Sequence, residues 1–412
     1  MFENRHDPLV FALGVEDTFI TQTSQGERPL DEYELTQHYT QWPFDLAAVA
    51  STGATALRWG IPWHRVNPEP GRWDFSWVDQ VADKLSESGV EPIWDLVHYG
   101  TPTWLVGEFA HPDYPERVAE YAGRVGERFG DRFPWFTPLN EPLLNILYCG
   151  RYGFWPPYRE GDEGFVSMLR AISRGIVLSE EAFRSAAGTG SRSMHVEAAI
   201  RYVAADPSAA DDTRFLVGQS YLPQDLVTGR VDGGHELATY LQQHGMSDED
   251  LDWFVQHATA PDVIGVNYYP QVSTDLVRLG GPDGGPTNAR PHPNDWTDGM
   301  VDVLTSFADR YRTPVVLSET CNPGSHDDRL QWLDSSIAAV RALRENGVDV
   351  RGYTWWSVID MVEWDYRTSA APVDQHLLRM GLWDLVPQPD GRLERQRNVV
   401  ADRFSEYAKR RR

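Results

Sequence analysis

Phe136-Thr137-Pro138-Leu139-Asn140-Glu141-Pro142 and Pro314-Val315-Val316-Leu317-Ser318-Glu319-Thr320 decide how this chain reads. Each is a short hydrophobic run that ends on a glutamate. Each reads as a buried β-strand delivering a carboxylate at its C-terminal tip. In a (β/α)8 barrel that end of every strand faces the site. Two carboxylates brought together there are the minimum equipment for cutting a glycosidic bond.

Outward from these two segments the pattern recurs. Apolar runs at 9–14, 54–60, 92–98, 133–140, 194–202, 262–268, 314–319 and 351–357 read as strands, with helices clearest at 75–89, 115–130, 164–187, 299–312 and 327–346. Eight strands with interleaved helices predict one closed TIM barrel, α/β in class, with residues 1–412 as a single domain and no repeat or linker. Two stretches, 270–298 and 358–386, read as long loops that shape a pocket at the C-terminal face. The tail from Lys409 to Arg412 reads as a solvated helix end, where cations suit the negative pole of the dipole.

Composition narrows the function. A 41% hydrophobic chain of 412 residues can bury a large core. A net charge of −24 argues against nucleic acid or an anionic membrane surface as a partner, because either would repel it. The start, Met1-Phe2-Glu3-Asn4-Arg5-His6-Asp7, has neither the basic nor the apolar segment of a secretory signal, and no apolar run is long enough to span a bilayer. Cys149 and Cys321 are too few for a disulfide scaffold and read as buried, inert thiols, so a cytoplasmic location is expected. Sixteen tryptophans suit core filling and stacking on sugar rings equally. The expected partner is a small carbohydrate or glycoside; homo-oligomerisation is left open.

A retaining glycosidase needs two carboxylates about 5–5.5 Å apart, one to protonate the leaving oxygen and one to attack the anomeric carbon. Their pKa values must be pushed apart. Burial and the neighbouring negative charge are expected to raise Glu141; cations and donors are expected to hold Glu319 ionised. Arg58, in the apolar run ATALRWG, is the candidate cation, and the alternative is an arginine paired with a surface carboxylate. His98 closes another run, where a lone histidine is more often structural. Asn267 and Tyr269 end the sixth run; Trp355 and Trp356 end the eighth, followed by Asp360, Glu363 and Trp364. Rival carboxylates are Asp95, which alternation points outward, Glu197, placed to line the barrel interior, Asp360 and Glu363. Spacing alone does not choose among them.

Taken together these segments resemble glycoside hydrolase family 1, the β-glucosidase-type enzymes. The stretch from Thr137 to Pro142 is similar to the family's T-x-N-E-P segment, and Leu317-Ser318-Glu319-Thr320 to its nucleophile segment. Leu57 to Val66, Val97 to Leu105, Gly265-Val266-Asn267-Tyr268-Tyr269 and Gly352 to Trp364 resemble four further family motifs, in family order. The resemblance implies a retaining mechanism with no metal and no cofactor. It makes Glu141 the acid/base, Glu319 the nucleophile and Asn140 the partner of the sugar 2-hydroxyl. It sets Arg58 and Tyr269 beside the nucleophile and lines the glycone subsite with His98, Trp356, Glu363 and Trp364.

Three places depart from the family. The early segment lacks the sugar-binding glutamine and reads Gly14-Val15-Glu16-Asp17-Thr18, so Glu16 or Asp17 is the expected substitute, able to accept from hydroxyls or pair with an amine. Thr320-Cys321-Asn322 follows the nucleophile in place of N-G, and Tyr99-Gly100 replaces Trp-Asp. These changes leave the chemistry and alter the sugar-reading shell, so two alternatives stand beside a β-glucosidase. One is a related glycosidase for a deoxy- or amino-sugar. The other is a non-catalytic carbohydrate-binding protein on the same scaffold.

Overall fold

The computed structural model describes residues 1–23, 26–278 and 291–410. Eight parallel strands close into one barrel: β1 Val10–Gly14, β2 Ala56–Gly60, β3 Glu91–Asp95, β4 Trp135–Thr137, β5 Arg192–Ala198, β6 Val263–Asn267, β7 Val315–Glu319 and β8 Val350–Trp356. Each pairs with its neighbours in chain order, and β8 closes on β1 with Val10 opposite Gly352 and Gly14 opposite Trp356. The main helices between and after them are α1 His38–Thr52, α2 Ser76–Ser88, α3 Tyr114–Phe129, α4 Gly161–Ala187, α5 Ala210–Val227, α6 Trp296–Tyr311, α7 His326–Glu345 and α8 Val399–Lys409. The five helices expected from periodicity agree within a few residues; α1 and α5 carry Pro43 and Pro223 inside them, which hid them.

The strands are buried on both faces, as a parallel barrel demands. Outward residues pack against the helices in the larger core. Inward residues form a second cluster, in which Ala12 and Ala56 leave room for Ile93, Met194, Val196, Val263 and Val316. Phe2 meets Trp135 edge-on at 5.1 Å within that cluster and fills it from the N-terminal side. Going up the barrel on the same inward parity, the apolar layers give way to Arg58, Asp95, Asn267 and Trp356.

Some expectations are corrected. Asp95 shares the inward parity of Ile93, so it points into the barrel mouth rather than outward. Glu197 alternates with Val196 and falls on the helix-facing side with His195, which bonds Glu180 of α4 and Gln224 of α5. The fifth run splits: β5 ends at Ala198, and Arg201–Ala204 turns away to pair in parallel with Thr274–Val277. The stretch 270–298 therefore carries a strand and the start of α6; residues 279–290 lie outside the described residues. The stretch 358–386 is also ordered. Asp360 accepts the amides of Met380, Gly381 and Leu385 and an ion pair from Arg379 at 2.7 Å, and Met361–Val362 pairs with Leu377–Leu378. The basic tail follows α8, which ends at Lys409; Arg411 and Arg412 lie outside the described residues. Among the described residues no helix is long and apolar enough to cross a membrane.

Candidate active site

Glu319 ends β7, on the parity that would face the helices. The pairing with β6 shifts between Leu317 and Glu319, so that Glu319 stands opposite Asn267 at the barrel mouth. Glu141 lies beyond β4, and its left-handed backbone (φ 47°) bends the chain into the short helix Pro142–Ile146. Its amide donates to the Val196 carbonyl at 3.0 Å, which ties this bend to β5.

Glu319 is held by a charge and a phenol. The Arg58 guanidinium forms an ion pair with one oxygen, and Tyr269 donates to the other at 2.6 Å. Arg58 also donates to the Asn140 side-chain oxygen at 2.8 Å, pairs with Asp95 at 3.2 Å and lies 4.3 Å from the Trp356 ring. The surface-pair alternative for Arg58 is thereby removed: it is 1% exposed, and all its charged partners surround the mouth.

Glu141 meets only neutral donors. Tyr99 donates to one oxygen, and Asn267 donates to the other at 2.9 Å. Burial pushes its pKa up against the opposing pull of the Tyr99 and Asn267 hydrogen bonds. Asn267 is oriented by Ser318, whose hydroxyl donates to its carbonyl oxygen at 2.7 Å. Asn140 links the two halves. Its oxygen faces Arg58, and its nitrogen donates to the Tyr99 hydroxyl at 3.0 Å and lies 3.0 Å from His98 Nε2. Tyr99 and Ser318 were missed as site residues. The departure Tyr99-Gly100 was the available signal for Tyr99, because it exchanges an indole for a hydroxyl at a strand end; nothing marked Ser318.

Beneath the mouth lies a buried ionic network. His98 Nδ1 stands between Asp17 (3.0 Å) and Asp95 (3.2 Å), and Glu16 approaches Nε2 at 3.4 Å. Burial alone would lower the His98 pKa; the Asp17 and Glu16 charges overcome it and raise it well above the ordinary value. Glu16 accepts from Thr18 and from the Trp356 indole at 2.7 Å, and Trp356 stacks on His98 with centroids 5.8 Å apart. Two glycines make these approaches possible. A Cβ on Gly14 would fall inside the Trp356 ring, and one on Gly60 would overlap the Asp17 carboxylate. Asp17, Asp95 and His98 are close enough together to hold a cation, but His98 and Arg58 already answer the two carboxylates. A second such group, Glu363, Asp365 and His376, is largely exposed.

A cavity of about 620 Å3 opens over these residues. Glu16, His98, Glu141, Asn267, Tyr269, Glu319, Glu363 and Trp364 all line it. Arg58, Asn140 and Trp356 lie just beneath that lining, each 1% exposed or less, and act on it through Glu319, Tyr99 and His98. Burial, with Asp365 beside it, raises the Glu363 pKa. Of the rival carboxylates, Asp360 is spent on the loop it ties and Asp95 on Arg58. Glu197 is buried beside Glu141, and burial, then the Glu141 charge, pushes its pKa well up. Cys149 and Cys321 are free and buried, with pKa values raised by burial, as inert thiols require.

The chain and its fold both have known counterparts. The model of glycosyl hydrolase family 1 matches residues 13–370. A bifunctional β-D-glucosidase/β-D-fucosidase of Bifidobacterium breve is 28% identical over 378 residues, which cover 80% of each chain. Thermostable β-glucosidase B of Thermobispora bispora is 28% identical over 366 residues, covering 80% of this chain and 74% of its own. A β-glucosidase from Thermotoga maritima in complex with deoxynojirimycin shares the fold, with a TM-score of 0.81 over 98% of both chains at 20% identity.

Proposed function

Because the chain belongs to glycosyl hydrolase family 1 and so to the O-glycosyl hydrolases, we propose that it is a retaining β-glycosidase of β-glucosidase type. Glu319 attacks the anomeric carbon while Glu141 passes its proton to the departing oxygen, leaving a glycosyl ester on Glu319. Glu141, now ionised, takes a proton from water, whose oxygen displaces Glu319 and restores both groups. The observation that carries this reading is the contrast between the two carboxylates. Glu319 is paired with a cation and a phenol, which favours its ionised form. Glu141 has neutral donors only and is raised by burial, which favours the protonated acid. The glycone is read by Glu16, His98, Glu363 and Trp364, while Asn140, expected to meet the 2-hydroxyl, lies beneath the lining and acts on it through Tyr99.

No lysine or arginine is among the described residues that line the cavity, whereas Glu16, Glu141, Asp275, Glu319, Glu363 and Asp365 all do. Among the described lining residues the carboxylates outnumber the one histidine of raised pKa, His98, which disfavours an anionic glycone. A deoxy- or amino-sugar glycone is the second reading, favoured by Glu16 on the cavity wall where the family carries a glutamine. Residues 1–412 are read as one catalytic domain working in a reducing, cytoplasmic compartment, in line with the free Cys149 and Cys321.

Release of nitrophenol from aryl β-glucoside, galactoside, fucoside, xyloside, mannoside and N-acetylglucosaminide tests the activity and names the glycone. Glu319→Gly is expected to lose turnover, and added azide to restore it as the glycosyl azide of inverted configuration. Full activity in that variant sinks the assignment. A folded protein that binds sugars and turns over no aryl glycoside would favour the non-catalytic alternative.

A further inference from the structure

Ser318 is the extra residue of the irregularity that ends β7. Leu317 stands opposite Val266 and Glu319 opposite Asn267, so Ser318 and Glu319 together face one residue of β6. A bulge of this kind re-aims the side chains beside it. Here it turns Glu319 to the mouth and sets the buried Ser318 hydroxyl 2.7 Å from the Asn267 side-chain oxygen.

The orientation of the Asn267 amide follows from its neighbours. Arg58 can only donate, so the Asn140 atom that meets it at 2.8 Å is the oxygen. That oxygen lies 3.3 Å from Asn267, which turns its nitrogen toward it and toward Glu141, 2.9 Å away. The Asn267 oxygen is left facing Ser318, whose hydroxyl donates to it. An amide whose oxygen accepts is a better donor at its nitrogen, and a buried oxygen stripped of its donor pulls the amide out of place. A donor at Glu141 favours the carboxylate, which burial opposes. The two halves of the retaining cycle ask opposite things of Glu141: protonated while the leaving group departs, ionised while water attacks.

We propose that Ser318 is a positioning residue for the second half of the cycle, holding through Asn267 the ionised Glu141 that activates water on the glycosyl-enzyme. One bulge thereby aims the nucleophile and, by way of Asn267, supports the base. This rests on the retaining β-glycosidase reading of the site. Tyr99 and His98 beyond β3, Arg58 of β2, Glu197 of β5, Tyr269 beyond β6 and Glu319 of β7 also face Glu141, and a Ser318 variant keeps them all.

The two halves are measured apart with a dinitrophenyl 2-deoxy-2-fluoroglycoside of the glycone that the nitrophenyl panel selects. Its leaving group departs without a proton, so the rate of inactivation reports attack by Glu319 alone. After excess reagent is removed, the return of activity reports attack of water on the trapped glycosyl-enzyme, and it rises with pH as Glu141 ionises. In Ser318→Ala that rise is expected about half a pH unit to one unit higher, so that reactivation below it is about three- to tenfold slower, the scale of one hydrogen bond, and recovers at higher pH. The inactivation rate is expected to stay within about twofold of wild type. Both are first-order rates, so a smaller folded fraction does not imitate the result. Asn267→Ala is expected to move the reactivation profile at least as far, and Ser318→Ala added to it to move it no further. An unmoved profile in Ser318→Ala, an equal slowing of both rates, or a further shift in the double variant overturns the inference. A wild type that neither turns over an aryl glycoside nor is inactivated overturns the proposed activity, and the inference with it.

Discussion

Replacing Tyr99 by Phe isolates the control of the acid. The Tyr99 hydroxyl donates to Glu141 and accepts from the Asn140 nitrogen at 3.0 Å. Burial raises the Glu141 pKa, and the Tyr99 hydrogen bond opposes that rise by favouring the carboxylate. Without the hydroxyl, burial is less opposed and the pKa goes up. A hydrogen bond to a charged group is worth about 1.5–3 kcal/mol, and one pKa unit corresponds to about 1.4 kcal/mol. The expected displacement is therefore about one to two units upward, with the Asn267 bond still in place. In the retaining reading the free enzyme must hold Glu141 protonated, so the alkaline limb of kcat/KM reports this group. The limb should move to higher pH by that amount, while the plateau falls because Asn140 loses an acceptor. The assay is kcat/KM against pH on the best aryl glycoside, for Tyr99→Phe and wild type side by side. A limb at the wild-type position, or below it, would refute the assignment of Tyr99 and Glu141 as a coupled pair.

Three further substitutions probe other parts of the framework. In Arg58→Lys one point charge must replace a fork that serves Glu319, Asn140 and Asp95 together; turnover should fall at least about a hundredfold and stability by several kcal/mol, at most about 3–5, read by rapid-quench kinetics and urea unfolding, and near-normal kcat would contradict the geometry. Gly14→Ala puts a methyl inside the Trp356 ring and should cost about 1–3 kcal/mol with a changed near-ultraviolet tryptophan signal; an unaltered spectrum and Tm would show that the ring is not held there. Glu197 has a folded pKa raised above its unfolded value, so its cost to stability is absent below the unfolded pKa, grows as pH rises toward the folded pKa and is then constant. Glu197→Gln cannot ionise in either state, so its Tm should match wild type near pH 4 and exceed it at pH 7; the same Tm difference at both pH values would count against a buried neutral carboxyl.

The barrel was legible because its strands are buried on both faces, which writes each as a continuous apolar run, and because several runs close on a polar residue, as at Asp95, Asn267 and Glu319. Val315 to Glu319 and Val263 to Asn267 were readable on those grounds alone. What failed was parity. Asp95 and Glu197 were assigned to the wrong sides because side-chain alternation needs a starting phase, and a run buried on both faces supplies none. Glu319 reaches the mouth only through a register shift at Ser318, a tertiary event with no local signature. His98, Asn140 and Glu141 lie past their strands, where the chain leaves regular geometry; Tyr99 and Glu141 even take positive φ values of 74° and 47°. Hydrogen bonds such as Tyr99 to Glu141 join residues 42 positions apart, and only the closed barrel brings them together.

The parallel ribbon of Arg201–Ala204 with Thr274–Val277 has a consequence for how this scaffold can be re-engineered. It stitches the segment leaving β5 to the segment leaving β6, and the Arg201 side chain reaches onward to Asp295 and Asp302 at the start of α6. Ala198–Ile200 on one side and Val272–Asp275 on the other are therefore a single piece of wall spelled out in two distant parts of the gene. A graft that imports one of these loops from a relative breaks the seam, whereas exchanging both, with the start of α6, carries the seam intact. Libraries that reshape this side of the cavity should vary the two segments jointly.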